Sequence, residues 1–415
     1  VIDSTRGARS DLGGFGVPIG EFVGDLHGLA GRRQEADPCW SRVLERDAVA
    51  RSARSGVTAR LPLTSPRSEL EWDAEGSRVE LLHPRYGVVP FQGRDMLLAN
   101  LMLWRERPDA VSVVVLAGPG GFGKTRTAIE ACAAAGGAGW AAGLLAGSEM
   151  APFRGLDVLG GWPGRLFVVV DYAETRPPGA VAQLLHCLRR RSAQVPARVV
   201  LVMRQGGTRE QLRELIATGD ERLELERVVR AAEIVRLDRD VPEIDRMELF
   251  RSATEAFAVR LRRAARSTAP DLAADHFARP LYVLAAALLC ASDTEIDVAA
   301  LAADDILGAV LDRHEAEYWD RWNTRLGAGL SREQQRRAVA LVALLGADTE
   351  QDALTGVGMV PGVARASAPR REEVVEWLMR LYGGQHVGPP LVRPLEPDLL
   401  AEVLVARELS ADGLA

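Results

Sequence analysis

Lysine is nearly absent from this chain of 415 residues: of its 51 basic residues, all but Lys124 are arginine. That scarcity excludes the [NT]KxD loop on which guanine specificity usually rests. Cysteine is scarce too. Cys39, Cys132, Cys187 and Cys290 are far apart and form no CxxC pair, so they read as reduced, packed thiols rather than a disulfide or metal framework. No apolar run reaches the ~18 residues a membrane span needs. The N-terminus carries no basic-then-apolar secretion signal, so the expected location is the cytoplasm. The 47% apolar and 26% charged composition suits a globular protein of two or three domains. Richness in alanine, glycine and arginine reads as the coding bias of a GC-rich bacterial genome.

Residues 1–87 are the least legible, with a glycine-punctuated start and room for one helix in "ADPCWSRVLERDAVARSARSG". They read as a linker or the remnant of an upstream domain. A regular pattern starts at Val88. After the helical "FQGRDMLLANLMLWRE", short β-branched runs alternate with helical stretches: 111–118, 139–147, 165–172, 197–204 and 233–238. Several runs are apolar throughout rather than alternating, as strands covered on both faces should be. The expectation is an α/β domain over 88–241 with a mostly parallel sheet. Beyond Pro242 the pattern is helical, read as a lid over 242–292 and a winged-helix-like domain over 293–415. Val374, Trp377, Leu378 and Leu381 form a helical core stripe there.

The one lysine lies in "VVVLAGPGGFGKTRTAIE". Gly118-Pro119-Gly120-Gly121-Phe122-Gly123-Lys124-Thr125 matches GxxxxGK[ST], after an apolar strand and at the start of a helix. Such glycines let the backbone curl so that successive amides point inward at phosphate oxygens, and the following helix adds its positive end. Lys124 would neutralise β- and γ-phosphates, Thr125 would offer a hydroxyl to Mg²⁺, and Arg126 follows in the same turn. Arginine's planar fork is too wide for the loop, which explains why this lysine escaped replacement.

A phosphate loop needs an acid. In "RLFVVVDYAETR" an apolar strand runs into Asp171, placed to hold the Mg²⁺ water shell. Glu174 follows as the candidate that orients or deprotonates the attacking water. Arg204, ending "ARVVLVMR", is placed to reach a γ-phosphate. The extra strand before Asp171 fits ATPases whose sheet inserts a strand between the two motifs, and the lack of a second lysine favours adenine nucleotide, ATP or ADP.

With these motifs in order, the chain resembles the STAND class of signalling ATPases, relatives of NACHT and NB-ARC proteins. It is most similar to an actinobacterial subgroup whose ATPase precedes tetratricopeptide repeats. The resemblance covers about residues 86–410 and includes "VVPFQGRDMLLANLMLW", the glycine loop, "VVVDYAETR", the arginine-ended strand, "HFARPLYVLAAALL" and "EWLMRLYGG…PLEPDLLAEVLV". It implies that Arg94 lies near the nucleotide and that Pro280 starts a helix approaching it from the lid. Ala278 stands where the family has glycine two residues before that proline, and neither His314 nor His386 falls in the family's histidine motif.

What the resemblance implies is a switch: closed with ADP, open and self-associating with ATP, and reset by slow hydrolysis. Sensor and effector partners would lie on flanking sequence. The alternative is an AAA+ origin-loader-like ATPase whose winged helix grips DNA. Against it, residues 293–415 hold 21 acidic and 12 basic residues, the wrong sign for counterion release from a duplex. A local basic patch such as "SREQQRRA" or "APRRE" could survive within that balance. A small-molecule kinase is a third reading, but 242–292 shows no acceptor-site cluster.

Overall fold

The computed structural model describes residues 61–66, 72–73, 75–145, 156–176, 179–204, 207–216, 222–264, 268–292, 296–302, 305–383 and 391–411. Cys39, His386, the helix expected within 36–56 and the end of the strand expected over 139–147 lie outside the described residues. Contacts divide the chain into two units. Among described residues, one takes in 61–66 and 91–244, the other 72–90 and 245–411.

The first unit is α/β. Its strands are β1 (Leu63–Thr64), β2 (Val111–Ala117), β3 (Ala141–Leu145), β4 (Leu166–Val170), β5 (Ala197–Met203) and β6 (Glu233–Arg236), side by side in the order β1-β3-β4-β5-β2-β6. All neighbours are parallel except β1, which runs antiparallel to β3. The helices are α1 (Asp95–Arg105), α2 (Lys124–Gly137), α3 (Leu156–Gly161), α4 (Ala180–Leu188), α5 (Arg209–Leu215) and α6 (Arg222–Ala231).

Every residue of β3, β4 and β5 is buried, because helices cover both faces. Val114, Leu116, Phe167 and Val200 pack against Leu101 and Trp104 of α1 and Ile129 of α2. Val115, Val168, Val199 and Leu201 pack against α3, α4, α5 and α6 on the other face. The helix after β2 therefore goes to one face and those after β4 and β5 to the opposite one. That reversal opens a crevice at the carboxyl ends of these three strands.

One strand position breaks the apolar rule. Arg198 in β5 is fully buried, and its guanidinium donates to the carbonyls of Arg105, Arg107, Asp109 and Ala197. The first three belong to the end of α1 and the turn into β2, where carbonyls lack helical partners, and Ala197 is the neighbouring residue of β5. Burial holds the Arg198 pKa below its usual value.

The second unit comprises α7 (Arg246–Leu261), α8 (Pro280–Ser292), α9 (Ile306–Val310), α10 (Ala316–Leu326), α11 (Arg332–Leu345), α12 (Glu350–Val357), α13 (Ala368–Tyr382) and α14 (Asp398–Ala411). A π turn over Leu311–Glu315 joins α9 to α10. Reciprocal caps, Ser331 with Gln334 and Thr349 with Asp352, set the starts of α11 and α12. Isolated antiparallel bridges tie Val392 to Ala347 and to Gly383. The division expected at 292 falls inside this unit.

The segment 1–87, read as a linker or remnant, contributes to both units. Leu63–Thr64 pairs with β3, and residues 72–90 pack with the helices. The latter are held by a buried polar group: Ser77 Oγ donates to one oxygen of Glu315, and the Tyr382 hydroxyl donates to the other at 2.6 Å. Nearby, burial, reinforced by the Glu315 carboxylate, pushes Glu80 from 4.5 up to about 7. A carboxyl raised in this way contributes stability that is full below pH 4.5 and lost as pH rises through 7. Glu80→Gln should therefore raise the melting temperature at pH 8 by about 2–4 °C, allowing for solvent screening of a partly exposed group. At pH 4 differential scanning calorimetry should show almost no change. An equal shift at both pH values would assign the effect to packing rather than charge.

Candidate functional site

The site is built on the crevice at the carboxyl ends of β2, β4 and β5. From β2 the chain turns through Gly118–Gly123, with Gly118, Gly121 and Gly123 at φ of 138°, 81° and 79°. Only glycine holds such angles cheaply. At Gly118 a side chain would also be crowded, since a Cβ would stand 3.1 Å from Oδ1 of Asp238. At Gly123 the opposite holds: a Cβ would meet nothing within 4 Å among the described residues, which leave the space over the start of α2 open. No side chain caps α2 at Gly123, leaving its first amides to other acceptors.

Lys124 begins α2 and is 6% exposed, with its ammonium donating to the Pro119 carbonyl at 2.7 Å, inside the loop's own curl. Thr125, next in the helix, reaches across to β4. Its hydroxyl donates to Oδ1 of Asp171 at 3.3 Å, and that oxygen also accepts the Tyr172 amide at 3.1 Å. Asp171 directly follows β4 and is buried. Arg126 pairs with Glu130 at 3.0 Å along α2.

Glu174 lies in the short 3-10 turn Ala173–Thr175 after β4. Its Oε1 accepts the main-chain amide of Arg204 at 2.5 Å, while its buried Oε2 has no hydrogen-bond partner among the described residues. Burial raises the Glu174 pKa, and the Arg204 amide and the Lys124 and Arg204 charges act against that rise. The acid is thus within electrostatic reach of both cations named from the sequence.

Arg94 precedes α1 and is 5% exposed. One guanidinium nitrogen donates to the Phe122 carbonyl at 3.0 Å; Nε and Nη1 are buried without a partner among the described residues. Burial lowers its pKa to about 10. A desolvated guanidinium with two orphan donors fits an anionic or carbonyl acceptor.

These contacts bring together the loop, Lys124, Thr125, Asp171, Glu174, Arg204 and Arg94. Pro280 opens α8 in the helical unit and is not joined to them by these contacts. Sequence reasoning passed over Tyr172 and Asp238. Tyr172 stands between the two acids at φ 52° and ψ 50°, with its ring 6.0 Å from the Arg204 guanidinium carbon. Asp238 follows β6 and carries the Arg236 guanidinium at 3.0 Å beside Gly118. The acid after an apolar strand is the signal that could have found it.

The residues fit a polyphosphate: uncapped amides, open space above them, a buried ammonium, and the orphan donors of Arg94. They also fit a divalent magnesium ion, which keeps most of its water and takes one or two protein oxygens. The Thr125 hydroxyl and Asp171 carboxylate are such a pair. Among the described residues there is no cluster of three or more His, Cys, Asp or Glu side chains able to hold a metal unaided. No helix among them is long and apolar enough to cross a membrane.

No family model and no curated protein matches the sequence. Among solved structures, a chain of Drosophila ORC bound to DNA is similar over 87% of this chain and 98% of that one, with 13% identity and a TM-score of 0.24. At that TM-score the likeness carries no argument about fold or function.

Proposed function

We propose that this chain is an adenine-nucleotide-binding ATPase of the STAND type, working as a nucleotide-controlled switch that self-associates with ATP and resets by slow hydrolysis. One observation carries the reading: a buried ammonium inside a loop of left-handed glycines, with the next residue's hydroxyl on an acid from a different strand. The sheet order adds support. β5 stands between the loop strand β2 and the acid strand β4, the arrangement of additional-strand ATPases. The order α11-α12-α13, with Val392 bridged to Ala347 between α11 and α12 and to Gly383 after α13, suits a winged-helix-like unit.

In this reading the loop amides and Lys124 bind the phosphates, and Thr125 and Asp171 hold Mg²⁺. Arg94 binds the nucleotide from the start of α1. Glu174 orients a water through its unpartnered oxygen and takes its proton, and Arg204 senses the terminal phosphate. Bound Mg²⁺ supplies charge neutralisation at the β- and γ-phosphate oxygens.

The DNA-binding alternative is weakened by its own basic stretches. Arg332 pairs with Asp320 at 2.8 Å, Arg336 with Glu408 at 2.7 Å, Arg337 with Glu333 at 3.0 Å and Arg370 with Glu373 at 2.7 Å. Such self-neutralised arginines release few counterions from a duplex.

The test is to denature freshly purified protein and chromatograph the released nucleotide. The expected result is close to one adenine nucleotide per chain, mostly ADP. Protein that releases none contradicts a closed, ADP-held state.

A further inference from the structure

Resting on the nucleotide reading, we infer that Tyr172 is a positioning residue: its ring holds the Arg204 guanidinium where it distinguishes a triphosphate from a diphosphate. The backbone raises the question. At φ 52° and ψ 50° Tyr172 occupies the left-handed region, which a bulky aromatic residue adopts only when its surroundings impose it. The turn itself does not require tyrosine, since glycine would make the same conformation at lower cost. What glycine lacks is the ring.

That ring faces the Arg204 guanidinium carbon at 6.0 Å, within the range of cation–π attraction. Arg204 is held at its other end too, because its main-chain amide donates to Glu174 at 2.5 Å. The 3-10 turn carrying Glu174 starts at Tyr172, and Oδ1 of Asp171 accepts the Tyr172 amide at 3.1 Å. One residue thus connects the acid on the Thr125 hydroxyl, the acid proposed to orient water, and the arginine. The backbone of Tyr172 places the two acids; its ring places the guanidinium.

This division is testable because the backbone and the ring can be separated. Tyr172→Gly keeps the left-handed turn and removes the ring, whereas Tyr172→Phe keeps the ring. Calorimetric titration of each with ADP and with a non-hydrolysable ATP analogue reads the outcome. Tyr172→Gly should weaken the ATP analogue about tenfold, the scale of a partly desolvated cation–π contact, and leave ADP within about twofold. Tyr172→Phe should match the wild type for both. An unchanged ATP-to-ADP ratio in Tyr172→Gly, or an equal loss of both ligands, overturns the inference. Wild-type protein that binds neither nucleotide overturns the underlying nucleotide reading as well.

Discussion

Lys124→Ala is expected to lose its bound nucleotide and to bind added ADP at least about 100-fold more weakly than the wild type. The size follows from the site. The ammonium is buried inside the loop, 2.7 Å from the Pro119 carbonyl, so no bulk water replaces it when a phosphate is desolvated there. Truncating one partner of a buried, hydrogen-bonded charge pair costs about 2–5 kcal/mol. Lys124→Arg should be almost as damaging, although the net charge is kept. A planar five-donor fork cannot take the place of a compact ammonium inside this curl. Normal ADP affinity in Lys124→Arg would remove the explanation for the one lysine among 51 basic residues. Circular dichroism would show whether either variant has lost the fold instead.

Glu174→Gln separates binding from chemistry. The amide side chain keeps an oxygen for the Arg204 main-chain donor, so the loop after β4 should stay in place. It removes the group proposed to take a proton from water. ADP and ATP affinity should stay within a few-fold, while steady-state turnover falls about 10²–10⁴-fold. Loss of binding and turnover in equal measure would mean that the acid is assigned to the wrong role.

The pH dependence has a definite sign. Burial raises the Glu174 pKa, so wild-type turnover should fall on acidification with a midpoint above the ordinary carboxylate range. A carboxyl raised in the folded state also destabilises the fold as pH rises through that value. Glu174→Gln should therefore melt higher than the wild type at pH 8 while being inactive.

The parts legible in the sequence are those set by local pattern. Continuous apolar runs located β2 to β5 because both faces of the sheet are covered there, and the glycine spacing located the loop because φ beyond 70° is a glycine property. Asp171 could be named because it ends such a run. Contacts that span the chain were out of reach. Leu63 pairs with Leu145, which no local window sees, and a two-residue strand leaves no periodicity. Arg198 sits in an apolar strand as a guanidinium that closes the α1 terminus, so its type opposed its burial until its four carbonyl partners were located. The left-handed Tyr172 was hidden for a related reason, since its residue type favours extended backbone.

The arginine-rich stretches show the opposite failure. "SREQQRRA" reads as a local basic patch, yet Asp320 and Glu408, distant in sequence, neutralise much of it.

The central claim is that Gly118–Lys124 holds the phosphates of an adenine nucleotide. The most direct measurement is calorimetric titration of Mg-ADP into protein stripped of nucleotide, run beside Lys124→Ala. The account predicts saturable binding near one nucleotide per chain for the wild type and no resolvable heat for Lys124→Ala. Equal binding by the two proteins, or none by a folded wild type, would contradict it.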